Sequence, residues 1–345
     1  MHRFVTLPLA GLASLSVAAC GQRVHVDRDV PDDDPRDAWS ALLAESVTEE
    51  GVDYRHVDAS RGVLQDYVAW LAEHGPVLDT MRESKEDRRI AFLVNAYNAF
   101  VIEGVLQNQP IESVRDVRFG PWAARDNWSF FMGQRFKLDG EWISLYHLEN
   151  HRIFARYQDP LPHVGLNCAS VGCPPLRWWT EKVGRKKLGK QMGAAMEDWL
   201  EAGALQQTET GYAVTELFFW YEDDFTYWSD ADNLCQYLYE YTDEDAADWM
   251  YEHYEDCPLE RLEYDWTLNA APEGAAARKA ASSPRPVPVE RPRRSGGGPP
   301  PPGLDDIGLV PNPAPPGAAP TDAEPSPLPN EAAEPGPDGP LDAGG

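Results

Sequence analysis

The sequence predicts an α+β fold, a single mixed helix and sheet domain, and three observations carry that reading. Segments with apolar residues three and four apart alternate with short runs of period two, without the regular strand–helix–strand beat of a parallel sheet. All 12 tryptophans of the 345-residue chain fall between residues 34 and 269, a length that supports one well-cored domain. From Ala271 to Gly345 the chain holds 20 of its 31 prolines and no aromatic residue or cysteine. Such a composition cannot bury enough apolar surface to offset the cost of ordering it, so residues 270–345 are expected to be a disordered tail.

The elements follow in chain order. PRDAWSALLAESV reads as an amphipathic helix with Trp39, Leu42, Leu43 and Val47 on one side. GVDYRHV is expected to be extended. SRGVLQDYVAWLAEHG is a second helix, with Ser60 at its start and Gly75 as its stop. Residues 84–107 give the longest helix, nearly uncharged from Ala91 to Leu106 apart from Glu103, and so expected to be buried. QRFKLDGEWISL predicts a β-hairpin, because Asp139-Gly140 suits a two-residue turn with positive φ. YHLENHRIFARY is a short helix, PHVGLN alternates like a buried strand, and EKVGRKKLGKQMGAAMEDWLEAG is a helix closed by Gly203. ALQQTETGYAVT and RLEYDWTL read as strands, with helices filling 229–252 between them.

Charge and the N-terminus bound the function. The net charge is −27, with 47 acids against 24 Lys plus Arg in residues 1–270, which argues against a nucleic-acid partner because phosphate binding needs the opposite sign. Residues 1–19 have a basic start, an apolar stretch and small residues at the end, as in a secretory signal. Val17-Ala18-Ala19-Cys20 resembles the lipobox of bacterial lipoproteins. That resemblance implies lipidation at Cys20, a tether over 20–33, and a membrane partner through the lipid anchor. It places the protein on the periplasmic side of the cell envelope, with the outer membrane favoured by Gly21, in an oxidising compartment that permits disulfides.

Five blocks in order, FLVNAYNAFVIEGVL (92–106), ISLYHLEN (143–150), PHVGLNCASVGCPPLR (162–177), FFWYEDDF (218–225) and YDWTLN (264–269), resemble the bacterial and plant family called domain of unknown function 547. The resemblance supplies a fold family for residues 34–269 and almost no mechanism; a papain-like architecture enters by analogy only.

The chemistry concentrates in HVGLNCASVGCP, residues 163–174. One reading makes Cys168 a nucleophile, with His163 as its base, Asn167 at an oxyanion, and Glu149, Asn95 and Asn98 as orienting or binding groups. It requires the chain to turn by Asn167, since a continuous strand would point His163 and Cys168 to opposite faces. A second reading is a Cys168–Cys173 disulfide, structural or redox-active, with Cys235 and Cys257 as a natural second pair once Cys20 is lipidated. A third, a metal held by His163, Cys168 and Cys173, has a spacing unlike zinc sites and lacks a fourth ligand, so neither metal nor cofactor is assigned. Asn95 and Asn98 have a competing reading as ties between loops. Glu149 in HLENH does not follow the first histidine as a zinc-protease glutamate would, and is expected to partner Arg156, Arg177 or a histidine. The two function classes are thus a cysteine-dependent hydrolase or acyl transferase acting on an envelope substrate, and a non-catalytic envelope binding or scaffold module.

Overall fold

The architecture is organised by one helix that cannot reach water. The computed structural model describes residues 21–76, 86–120, 128–181 and 185–282, so the signal and Cys20 lie outside the described residues, as does the chain beyond Ser282. After β1 (Gln22–Arg23) come α1 (Arg36–Ser46), the two-stranded pair β2 (Val47–Thr48) and β3 (Gly51–Val52), α2 (Tyr54–Ala59) and α3 (Arg61–Leu71). The long α4 (Glu86–Asn108) follows, and every residue from Ile90 to Leu106 is buried. By length and composition α4 could cross a membrane, yet here it is the core helix, covered by α2, α3 and the helices that follow. Near its C-terminal end the carboxylate of Glu103 is fully enclosed and is met by Arg61 from α3 at 3.0 Å and by Gln107 at 2.9 Å.

The hairpin β4 (Gln134–Leu138) and β5 (Glu141–Ile143) forms as the Asp139-Gly140 pair predicts, with φ of 53° and 86° at the two turn residues. The turn also ends α3. The N–H groups of Asp139 and Gly140 donate to the carbonyls of Leu71 and Ala72, which a helix end leaves without partners, so α3 stops ahead of Gly75. A continuous helical run then comprises α5 (Leu145–His147), a π-helical stretch (Leu148–Phe154) and α6 (Ala155–Tyr157). Next come α7 (Arg185–Trp199), whose chain reverses at Gly203 (φ 118°), and the strands β6 (Leu205–Gln207) and β7 (Tyr212–Thr215). α8 (Glu216–Trp220), α9 (Glu222–Tyr227), α10 (Leu234–Leu238) and α11 (Glu244–Glu252) lead to β8 (Glu260–Leu262), which pairs in parallel with β7. Among the described residues, helices around one core with three small sheets make the fold α+β, as expected.

Four local expectations are corrected. GVDYRHV is extended only to Val52: Asp53 accepts the His56 N–H at 3.0 Å and starts α2. PHVGLN is not a strand but a 3₁₀ turn over Leu161–Val164, because Pro160 and Pro162 fix φ and Asp159 accepts the Leu161 N–H. Residues 21–33 are not a free tether: β1 lies parallel to β4, Val24 is buried, and Arg23 sits over the Trp142 ring. The ordered chain also runs past residue 269. Ala270 bridges Val52, and α12 (Ala275–Ser282) is held by Asp53, whose second oxygen accepts the Ala276 N–H, and by Lys279 on the carbonyls of Ala44 and Val47.

Removing the partner of a fully enclosed carboxylate leaves a charge that the interior cannot solvate. Arg61→Met is expected to lower unfolding free energy by about 3–5 kcal/mol, and Arg61→Met with Glu103→Leu to recover most of it, as read by denaturant unfolding of the two variants.

Candidate functional site

Asn95 and Asn98, one turn apart on α4, hold the chain that carries the cysteines. Asn95 donates to the Trp179 carbonyl at 2.7 Å and accepts the Trp179 N–H at 2.9 Å, as a neighbouring strand would. Asn98 donates to the Gly165 carbonyl and accepts the Asn167 N–H, both at 2.9 Å. These amides therefore tie loops to the core. Asn167 is a loop organiser as well: its oxygen accepts from Ala169 N–H and Asn269 Nδ2, and its amide donates to the Pro174 carbonyl. It is buried and committed, which corrects its expected place at an oxyanion.

The chain does turn by Asn167, with Ala169 at φ 64°, but the turn does not bring His163 to Cys168. The His163 ring is buried, stacked on Phe154 with centroids 3.9 Å apart, and flanked by Tyr221 and Phe225. Its Nε2 lies 2.9 Å from Asp224 Oδ2, so the neutral tautomer that donates there fits the contact. Burial lowers its pKa below the usual histidine range, opposed by Asp224. The expected Cys168–His163 dyad is replaced by an Asp224–His163 pair in an aromatic cage.

Cys168 is instead joined to Cys173 in a disulfide, and Cys235 to Cys257 in a second. Around the first pair, polar hydrogens converge. Cys173 Sγ receives the Cys168 N–H at 2.9 Å, and the Tyr264 and Ser170 hydroxyls stand at 3.1 and 3.4 Å. Those two hydroxyls also lie 2.9 Å from Cys168 Sγ. Cys168 is half-buried and Cys173 buried, so solvent reaches the pair from the Cys168 side. The second disulfide has the same mix of a buried and a half-buried sulfur, and there Cys257 Sγ receives the Cys235 N–H at 3.0 Å.

Glu149 sits in the π-helical stretch and meets neither arginine nor histidine, correcting its expected partners. Tyr221 donates to its Oε1 at 3.0 Å, and Tyr97 bonds it from α4. Burial pushes its pKa up to about 7, the two tyrosine bonds pull it down, and the Asp224 charge pushes it up again. Tyr97, Tyr221 and Tyr264 are all held above the usual tyrosine range, chiefly by burial, and so remain donors. The cluster thus pairs permanent O–H donors with a carboxyl that exchanges its proton near neutrality. His147 and His151 stand with ring centroids 4.8 Å apart, and among the described residues no group of three or more potential metal ligands occurs. Tyr264, Tyr221 and Asp224 carry no role in the sequence analysis; the aromatic-acidic run 218–225 is the available signal for the last two.

A carboxyl whose folded pKa lies above its unfolded value favours the folded state below about pH 4.5, and that contribution is lost as pH rises through about 7. Glu149→Gln is therefore expected to leave stability near pH 4 little changed and to raise it at pH 8 by up to about 3 kcal/mol, measured by denaturant unfolding at both pH values.

The comparisons with curated proteins and with solved structures each return no match. One family model matches, over residues 81–200, which include α4, Glu149 and the cysteine loop; Tyr221, Asp224 and Tyr264 lie beyond it. Residues 81–200 match the model of the family described as "Protein of unknown function, DUF547".

Proposed function

We propose that the working centre of this protein is the Cys168–Cys173 pair, cycling between disulfide and dithiol by exchange with thiols in the cell envelope. The observation that carries this reading is the convergence of the Cys168 N–H and the Tyr264 and Ser170 hydroxyls on Cys173 Sγ. A disulfide sulfur is a weak acceptor, whereas a thiolate is a strong one, so these donors serve the state in which the bond is broken. In the forward step a partner thiolate attacks the half-buried Cys168 Sγ. The S–S bond breaks, Cys173 leaves with the electron pair, and the three donors stabilise it. A second thiol of the partner then attacks the mixed disulfide at the partner's sulfur and releases Cys168. The partner is oxidised by two electrons and the pair reduced; a more oxidising protein disulfide reverses the sequence.

A cysteine-dependent hydrolase or acyl transferase is the second reading, favoured by Glu149, whose pKa of about 7 suits proton transfer. It acts from the dithiol state, with Cys168 as nucleophile, and assigns no base role to His163. Turnover of a thioester by the reduced protein, lost in Cys168→Ser and in Glu149→Gln, would favour it over exchange alone.

We further propose export and anchoring through a lipid on Cys20; incorporation of labelled palmitate that disappears in Cys20→Ser tests that part. For the redox centre, dithiothreitol is expected to reduce Cys168–Cys173 ahead of Cys235–Cys257 in the native protein, as read by alkylation and mass spectrometry. Tyr264→Phe is expected to slow the first reduction about tenfold, the worth of one hydrogen bond to a charged sulfur, and to leave the second unchanged. Equal resistance of both disulfides, or no effect of Tyr264→Phe, would sink the redox reading.

A further inference from the structure

Beside the disulfide runs an open groove of about 720 Å³, within the range of roughly 300–1,000 Å³ usual for ligand clefts. One wall is the segment 112–118 and the other the segment 263–267. The walls are bound to each other: Ser113 Oγ donates to the Trp266 carbonyl at 2.7 Å, and Leu268 N–H donates to the Glu112 carbonyl at 2.7 Å. The Arg115 guanidinium lies over the Trp266 ring. Tyr264 belongs to both places, since it lines the groove and its hydroxyl touches both sulfurs of Cys168–Cys173. The cysteine loop is laid along the same wall, with Val171 N–H on the Thr267 carbonyl and Gly172 N–H on the Asp265 carbonyl. Between the two cysteines, Val171 stands 54% exposed.

We infer that this groove receives the exchange partner as an extended peptide segment whose cysteine is flanked by lysine or arginine. The inference rests on the redox reading above and adds the class of its substrate. Two features select the occupant. Continuity with the disulfide through Tyr264 requires a ligand that spans the groove and still delivers a thiol to Cys168, which a chain of several residues does and a small thiol does not. Charge supplies the sign: four exposed carboxylates (Glu112, Asp116, Glu263, Asp265) face two guanidiniums (Arg115, Arg118), one of them already over Trp266. An acidic channel draws cations and repels anions, and it does so through the association rate, which salt then weakens. The exposed Val171, on the cysteine loop laid along the groove wall, offers the peptide an apolar contact near Cys168.

The test uses the full oxidised protein and three peptides of equal length, with one cysteine flanked by lysines, by serines or by glutamates. The second-order rate of mixed-disulfide formation at Cys168 is followed by mass spectrometry. The lysine peptide is expected to react about tenfold faster than the glutamate peptide at low salt, with the serine peptide between them and the spread collapsing at high salt. Glu112→Gln with Glu263→Gln should bring the rates together, whereas Glu252→Gln with Glu255→Gln, exposed on a different segment, should preserve the spread. Equal rates for the three peptides overturn the groove, as does a spread that follows the second pair of substitutions, and both leave the redox reading standing. If neither the peptides nor dithiothreitol open Cys168–Cys173, the redox reading falls and this inference falls with it.

Discussion

A helix buried from Ile90 to Leu106 has no solvent there to satisfy its polar side chains, so each of them must find a partner in the protein. In α4 this constraint falls on Asn95, Asn98 and Glu103, and it dictates what packs where. Glu103 fixes α3 through Arg61. Asn95 and Asn98 each pair with backbone groups of the segment 165–179, so the cysteine-bearing chain is hung on the core by bonds that are costly to break. Asn98 holds the Asn167 N–H, and Asn167 in turn shapes the turn at Ala169 and the entry to Pro174. The position of the sulfurs follows from two asparagines inside a hydrophobic helix.

The other side of the loop is held by the C-terminal strap. Ser170 bridges Leu268, Asn269 N–H donates to the Ala169 carbonyl, and the carbonyls of Thr267 and Asp265 accept from Val171 and Gly172. The same strap continues through Asn269 and Ala271 into the backbone of Val52. The loop thus owes its shape to hydrogen bonds on both flanks as well as to the bond between its sulfurs. Those flanking hydrogen bonds do not run through the sulfurs, a property that suits the proposed exchange. Gly172 belongs to this design, because a Cβ there would stand 2.9 Å from the Tyr264 ring.

Much of the scaffold was legible because its signals are local. The period of α4, the Asp139-Gly140 turn and the reversal at Gly203 all depend on residues close in sequence. The failures have local causes too, in which a short-range device overrode periodicity: Asp53 capped a helix in a run read as extended, and the prolines at 160 and 162 curled a run read as a strand. The edges at 33 and 269 were drawn from composition, which registers neither a two-residue parallel pairing nor a short helix held by one aspartate and one lysine. The site itself was half legible. Its cysteines and Glu149 stood out by type and spacing, whereas Tyr264 reaches the sulfurs across 91 positions and Asp224 claims His163 across 61. No window of sequence contains those pairs.

The electrostatics of the cluster separate two tasks that one residue often combines. Burial holds the three tyrosines above the usual tyrosine range, so they stay protonated near neutrality, and it leaves Glu149 to exchange a proton there. In the disulfide state the Tyr264 hydroxyl stands by two weakly accepting sulfurs and 3.2 Å from the Ser170 hydroxyl, so the two hydroxyls and two sulfurs share their hydrogens. Under the proposed exchange, a negative charge on sulfur would meet donors already in place, with no reorganisation needed. The Tyr264 hydroxyl has one proton and two sulfurs within 3.1 Å, so it can follow the charge from one sulfur to the other as the bond opens and re-forms. The proposed exchange draws on this arrangement, because a donor set of this kind is better matched to a thiolate than to a disulfide sulfur.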